Sequence, residues 1–278
     1  MNYYKYFIKF LIILLSFIFP NKNNIITIGG SVTEVVFSLG YGENVIAVDQ
    51  SSTLPADQVK NLPQVGYVRS LSAEGILSLK PSIILASSDI GPKNVINQIE
   101  NASVPIHIFD SPKDFNGIIS LIKDIADTLN VDKPKDVLIN NLHKKKKELD
   151  DLIQNTNMKI AFFMNAGNSN SLNAAGNNTK ANYLIELIGG QNIFKDSFNR
   201  YSKVSNESLL KLNPDIILIG SMSNDDLLKS EITNNSNLNS INAIKNNQVF
   251  VIDLGYHLTF GTNLVDAALN LSKNINKK

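Results

Sequence analysis

Short apolar runs alternate along the chain with segments whose apolar residues recur every three to four positions. Ile25–Ile28 reads as a buried strand. After Gly29-Gly30-Ser31, Val32, Val35, Val36 and Leu39 follow at helical spacing and stop at Gly40. Ser31 followed by Glu34 is the pattern of a capping box, which makes Ser31 the expected N-cap. Val45–Val48, Ile83–Ala86 and Ile106–Phe109 read as further strands, with helices expected near 72–79 and 92–101. This strand–helix alternation predicts an α/β fold with a parallel sheet. His107 lies inside one apolar run and is expected in the core.

Two amphipathic segments follow. Phe115, Ile118, Ile119, Ile122, Ile125, Ala126 and Leu129 mark one helix face, and a longer helix is expected over 135–155, about 30 Å in length. Its run His143-Lys144-Lys145-Lys146-Lys147 is the solvated face of that helix. The β–α pattern then restarts with the strand Ile160–Met164, a Gly/Asn/Ser-rich loop over 165–178, and a helix capped by Thr179 that ends at Gly189-Gly190.

An internal repeat ties the two halves together. Glu74-Gly-Ile-Leu-Ser-Leu-Lys-Pro81-Ser-Ile-Ile-Leu matches Glu207-Ser-Leu-Leu-Lys-Leu-Asn-Pro214-Asp-Ile-Ile-Leu, with both Glu and Pro displaced by 133 residues. The expected architecture is therefore two Rossmann-like lobes, parallel sheets flanked by helices, joined by a single long helix. The expected divisions are a first lobe over 25–130, a linking helix over 133–156 and a second lobe over 158–278. A single stiff connector predicts little movement of one lobe against the other.

Composition narrows the function. Formal net charge is +1, which leaves no basic excess to hold nucleic acid, and no Arg/Lys stripe with interleaved aromatics is present. Cysteine is absent, so disulfides, thiolate metal sites, Cys nucleophiles and a lipid-bearing Cys are excluded. Residues 1–20 read as an export signal: Lys5 and Lys9 precede the apolar run Phe10–Phe19, broken only by Ser16 and ended by Pro20. An uncleaved anchor is the alternative, since no Ala-x-Ala cleavage site is present. An exported chain of this kind fits a periplasm.

Arginine occurs only at Arg69 and Arg200, in a chain that otherwise writes its cations as lysine. Arg69 stands two residues after Tyr67. If that stretch is extended, phenol and guanidinium share one face. Such a pair is either an ordinary surface pair or a ligand in which a fixed cation favours the phenolate, a hard donor for ferric iron. Counting back from the second proline of the repeat, Arg200 holds the place of Tyr67, with Tyr201 beside it. His257 is expected at the surface. No catalytic residues are assigned, because neither a nucleophile elbow nor a paired-carboxylate motif frames the Ser, His and Asp residues. Three scattered histidines do not converge into a zinc or manganese site.

Four stretches carry a family resemblance: Ile28-Gly29-Gly30-Ser31-Val32-Thr33-Glu34; Val65 to Gly75 with Lys80-Pro81; Asn173-Ala174-Ala175-Gly176 with the helix up to Gly189-Gly190; and Phe260-Gly261. Together they resemble the periplasmic substrate-binding proteins of ABC importers for haem, cobalamin and ferric siderophores. The Tyr67 stretch is similar to the haem-binding branch. The resemblance implies that Tyr67 is the axial ligand of haem iron and that Arg69 hydrogen-bonds it. It also implies an ABC permease as partner, with one glutamate per lobe, Glu74 and Glu207, docking on it. The simpler role for each glutamate is to complement a helix dipole. Arg200, Lys203 and Lys180 are candidate partners for haem propionates. Tyr201 and Tyr256, with Tyr183, Phe198 and Phe260, are candidate walls. The chain departs from the family at Asn165-Ala166-Gly167-Asn168, where a Ser or His is usual, and at Thr262-Asn263, where Pro-Arg is usual. The expected protein is a monomeric, periplasmic haem carrier and not an enzyme; a cobalamin or siderophore carrier of the same fold is the alternative, with a periplasmic enzyme behind it.

Overall fold

The computed structural model describes residues 24–153, 157–164, 172–222 and 227–276. The export segment 1–20 and Asn165–Asn168 lie outside these residues. In the first lobe, strands β1 (Ile25–Ile28), β2 (Val45–Val48), β5 (Ile83–Ser87) and β6 (Ile106–Phe109) form a wholly parallel sheet in the order β2-β1-β5-β6. Helices α1 (Gly30–Ser38), α4 (Lys93–Asn101) and α5 (Phe115–Leu129) connect and flank it. Between β2 and β5 the chain adds a short helix α2 (Ala56–Val59), a small hairpin β3 (Gly66–Tyr67) and β4 (Ser70–Leu71), and helix α3 (Ala73–Ser78).

The chain then crosses through α6 (Asp132–Leu152), 21 residues long. In the second lobe β7 (Lys159–Met164), β11 (Ile216–Ser221) and β12 (Val249–Asp253) are parallel, with β9 (Gln191–Asn192) also parallel to β7. β8 (Leu172–Ala175) and β10 (Tyr201–Val204) are antiparallel additions, so this sheet is mixed rather than parallel throughout. Its helices are α7 (Lys180–Leu187), α8 (Asn206–Leu212), α9 (Leu227–Thr233), α10 (Asn242–Lys245), α11 (Leu254–His257) and α12 (Leu264–Ile275).

Strands buried on both faces read as continuous apolar runs, and alternate residues divide between different cores. Ile26, Ile28, Ile84 and Ala86 pack outward with Ile76 and Ile99. Ala161, Phe163, Ile217 and Ile219 do the same in the second lobe, with Phe194 and Leu238. The opposite faces meet. Ile25 and Leu85 of the first lobe, Leu142 and Leu149 of α6, Phe162 and Leu218 of the second lobe, and Leu269 of α12 all belong to one continuous core. α12 packs on α6, and Lys145 of α6 pairs with Asp266 of α12 at 2.6 Å. The lobes thus share packed side chains in addition to a connecting helix, an arrangement the apolar pattern of the linker alone did not reveal.

Two local expectations fail. β6 is an edge strand on which His107 and Ile108 are both exposed, so His107 is not a core residue. Ser31 is not the N-cap of α1. The helix begins at Gly30, and Gly29 occupies the cap with φ 100°, a left-handed conformation that only glycine adopts without strain.

Candidate ligand-binding cleft

In an open parallel sheet, ligands sit beyond the carboxyl ends of the strands. Here those ends deliver Gly29 after β1, Asp49 after β2, Ser87 at the end of β5 and Ser111 after β6. The floor is organised by a carboxylate that the sequence reading passed over. Asp49 is fully buried and accepts from the Gly29 N–H (2.7 Å), the Ser51 N–H (2.9 Å), Ser51 Oγ (2.6 Å) and Ser52 Oγ (2.7 Å). It pins the strand–helix turn to the loop after β2. Gly30 lies between that loop and the other lobe: a Cβ there would stand 2.8 Å from the Ser51 carbonyl oxygen and 2.8 Å from Thr259 Cγ2. A single Asp after a strand carries no motif, so only the fold exposes its role.

The hairpin brings Tyr67 to this floor. Gly66 pairs with Leu71 and Tyr67 with Ser70, leaving Val68-Arg69 as a two-residue turn. Tyr67 and Arg69 are therefore not successive residues on one face of an extended strand. Val68 is the buried anchor; its carbonyl accepts from the Gly91 N–H at 2.8 Å, and the Leu71 N–H donates to the Gly91 carbonyl at 3.2 Å. Tyr67 is 47% exposed. Arg69 reaches Asp89 at 3.5 Å, and Ser111 Oγ donates to the other oxygen of Asp89 at 2.7 Å.

From the second lobe, Lys180 at the start of α7 enters the same cavity. Its Nζ donates to the Thr259 carbonyl at 3.0 Å and lies 5.0 Å from the centre of the Phe260 ring. Burial pulls its pKa down, against the opposing pull of Asp89 and Glu34. Tyr67, Arg69 and Lys180 thus line one cavity of about 180 Å³, together with Gly29, Gly30, Ser31, Ser87, Asp89, Ser111 and Thr259.

Arg200, Tyr201, Lys203 and Tyr256 do not line this cavity. Arg200 is exposed with φ 63°, its backbone paired to Gly176 and Asn177. Tyr201 is half-buried against the shared core, and desolvation pushes its phenol up to about 12. Lys203 is exposed on the same edge strand. Tyr256 accepts from Asn270 of α12 at 3.2 Å. His257 is half-buried, its Nδ1 against the Asp253 carbonyl at 2.9 Å, and burial pulls its pKa down. Of the remaining candidate wall residues, Phe198 stacks on Phe194 in the outer core, and Phe260 is buried beneath Lys180. Tyr183 accepts the Phe115 N–H at 2.9 Å and so joins α7 to the start of α5.

Glu34 is the other lobe-to-lobe tie. Its buried carboxylate accepts from both the N–H and the Nδ2 of Asn263 at 3.1 Å. Desolvation pushes its pKa up to about 7 against the lowering effect of those donors and of Lys180. Gly261 allows the approach, since a Cβ there would meet the Glu34 carboxyl at 2.3 Å. The adjacent Thr262 shares a hydrogen bond of 2.9 Å with Ser38 of α1. The Thr262-Asn263 pair that departs from the family pattern therefore holds the lobes together.

Glu74 and Glu207 occupy equivalent places. Each is exposed in the first turn of its helix, two residues after a capping serine: Ser72 accepts from the Gly75 N–H and Ser205 from the Ser208 N–H. The Ser205 hydroxyl also draws the Glu207 carboxyl below its usual range.

The comparisons with known proteins agree with this architecture. The structure aligns with the periplasmic heme-binding protein RhuT from Roseiflexus sp. RS-1 in its apo form, with a TM-score of 0.82 and 27% identity over 92% of this chain and 98% of that one. An uncharacterized ABC transporter substrate-binding lipoprotein of Bacillus subtilis, YvrC, is 24% identical over 260 residues, 92% of this chain and 80% of the relative. The vitamin B12-binding protein of Pectobacterium carotovorum is 28% identical over 197 residues, 70% of each chain. A family model described as periplasmic binding protein matches residues 25–254, from the first strand of one lobe to the last strand of the other, and the chain belongs to that family.

Proposed function

We propose that this protein captures haem in the cleft between its lobes, binds the ferric iron through the phenolate of Tyr67, and delivers the haem to an inner-membrane ABC permease. The observation that carries the reading is the hairpin: it holds a half-exposed phenol at the mouth of a polar cavity, with Arg69 and Lys180 beside it. A bound ferric ion favours the phenolate of such a ligand. Among the described residues no cluster of three or more His, Cys, Asp or Glu stands ready for a bare ion. One phenol suits an iron whose other positions are already filled by a macrocycle, and tyrosinate is an established kind of haem ligand. The name of the Roseiflexus protein supports the same cargo.

Arg69 acts as the positioning residue for Tyr67. Glu74 and Glu207 dock the carrier on two matching permease subunits, as their equivalent exposure in the two lobes allows. Export through residues 1–20 places the protein in the periplasm, where it acts as a monomer without catalysis. The relationship to vitamin B12-binding proteins supports a second reading, a cobalamin carrier. Titration with hemin and with cyanocobalamin separates the two. Haem carriage predicts a Soret shift with high-spin tyrosinate features at one equivalent or more. Tight cobalamin binding with an unshifted hemin spectrum would overturn it.

A further inference from the structure

We propose that the amino end of α1, at the floor of the cleft, is a subsite for a carboxylate carried by the ligand. The assignment rests on the haem reading, in which that carboxylate is a propionate. α1 is nine residues long and its cap residue, Gly29, supplies no side-chain acceptor, so the first-turn N–H groups carry the positive end of the helix dipole. Gly29, Gly30 and Ser31 all line the cavity.

The second observation is independent of the helix. Ser31 and Ser87 are only 6% and 3% exposed, both line this cavity, and among the described residues neither hydroxyl has a hydrogen-bond partner. Neither oxygen is sealed off, since the buried unpartnered side-chain atoms among the described residues are Gln248 Oε1 and Ser272 Oγ; both serine hydroxyls open into the cavity. Two nearly buried side chains at one helix end thus turn free hydroxyl donors toward a group placed in the cavity. Ser87 packs directly on the turn: its Oγ would lie 2.6 Å from a Cβ on Gly29.

Charge supports an anion. Lys180 spends one Nζ donor on Thr259 and has two left. Asp89 lies in the same cavity but is held by Arg69 and Ser111, and Asp49 behind the turn already accepts from its four donors. Size points to a group rather than a whole ligand. The cavity of about 180 Å³ falls below the roughly 300–1,000 Å³ usual for pockets that enclose a ligand. A macrocycle therefore stands in the open mouth against Tyr67 and sends a carboxylate arm downward.

The test compares iron(III) protoporphyrin IX with its dimethyl ester on wild type, Ser31→Ala/Ser87→Ala and Tyr67→Phe, with thermal melting to follow the fold. The wild type should prefer the diacid about tenfold or more, as expected for hydrogen bonds to a charged group. The double serine variant should lose that preference while binding the diester as before; Tyr67→Phe should weaken both ligands alike. Equal loss of both ligands in the serine variant, or no loss of the diacid, would overturn the subsite. If the wild type binds neither porphyrin, the haem reading fails and the subsite is decided separately by amide resonances of Gly30 and Ser31 during acetate and inorganic phosphate titrations. Movement with acetate supports a carboxylate subsite. No movement, or movement with phosphate alone, overturns it.

Discussion

The two lobes share a plan and differ in what they carry on it. Ser72, Glu74 and Pro81 have exact counterparts in Ser205, Glu207 and Pro214, in each case a capped helix leading through proline into a central strand. Where the first lobe raises a hairpin with Tyr67 beside its turn, the second has an antiparallel edge strand, preceded by an exposed Arg200 in a left-handed conformation. The matched glutamates are exposed, whereas the hairpin particular to the first lobe lines the cleft. On the proposed function, repetition serves contact with a two-subunit partner, and the departure from it serves recognition of one ligand.

The largest effect that would sharpen this contrast is at the hairpin. Tyr67→Phe should lower hemin affinity by on the order of 100-fold or more and abolish the tyrosinate spectrum, since loss of supporting groups alone costs about 10–100-fold. Arg200→Ala and Tyr201→Phe, at the equivalent place, should each change affinity less than about threefold by the ordinary weight of exposed contacts. Equal losses in the two lobes would break the comparison. Charge reversal of Glu74 and Glu207 together should cut haem uptake through the permease by about tenfold or more while hemin binding and melting temperature stay put, because like charges facing each other at an interface cost several kcal/mol. Normal uptake would leave the glutamates as helix-dipole partners only.

Smaller effects probe what joins the lobes. The Glu34 carboxyl is pushed up to about 7 in the folded protein, from 4.5. Between these values the folded state holds more protons than the unfolded one, so this group makes stability fall as pH rises from about 4.5 to 7. The fall is on the order of 3 kcal/mol, and Glu34→Gln should flatten it in denaturant titrations run at several pH values. Smaller again, Ser72→Ala and Ser205→Ala should each cost about 1 kcal/mol, and by similar amounts, if the two helices are equivalent. Least of all, ligand binding should change the radius of gyration by less than about 1 Å in solution scattering, since packed preorganised proteins move little on binding.

Much of this fold was readable from the chain because its signals are local. Strands buried on both sides read as apolar runs, and the Glu-to-Pro repeat reads as two lobes. What failed depends on partners far away in sequence. Ser31-x-x-Glu34 satisfies the capping pattern, yet Glu34 is claimed by Asn263, 229 positions later. His107 sits between two isoleucines, but nothing in that run says the strand lies at a sheet edge. The antiparallel strands β8 and β10 and the returning helix α12 also escaped, since their pairing is fixed by tertiary packing. At the cleft, Tyr67 and Arg69 announced themselves by residue type. Asp49 and Ser87 did not, because a buried Asp or Ser looks like any other until the surrounding strands converge.

The core shared through α6 and α12 has a consequence for how the chain comes into being. Repeated halves often fold one after the other as each leaves the ribosome. Here Leu264, Val265, Ala268, Leu269 and Ile275 complete the same cluster as Ile25 and Val32, so the shared core stays unfinished until residues 264–275 have been made. A polypeptide with that order of assembly completes its core only at the end of synthesis. On the proposed export, such late closure suits a chain threaded through a narrow secretion channel before it closes on itself.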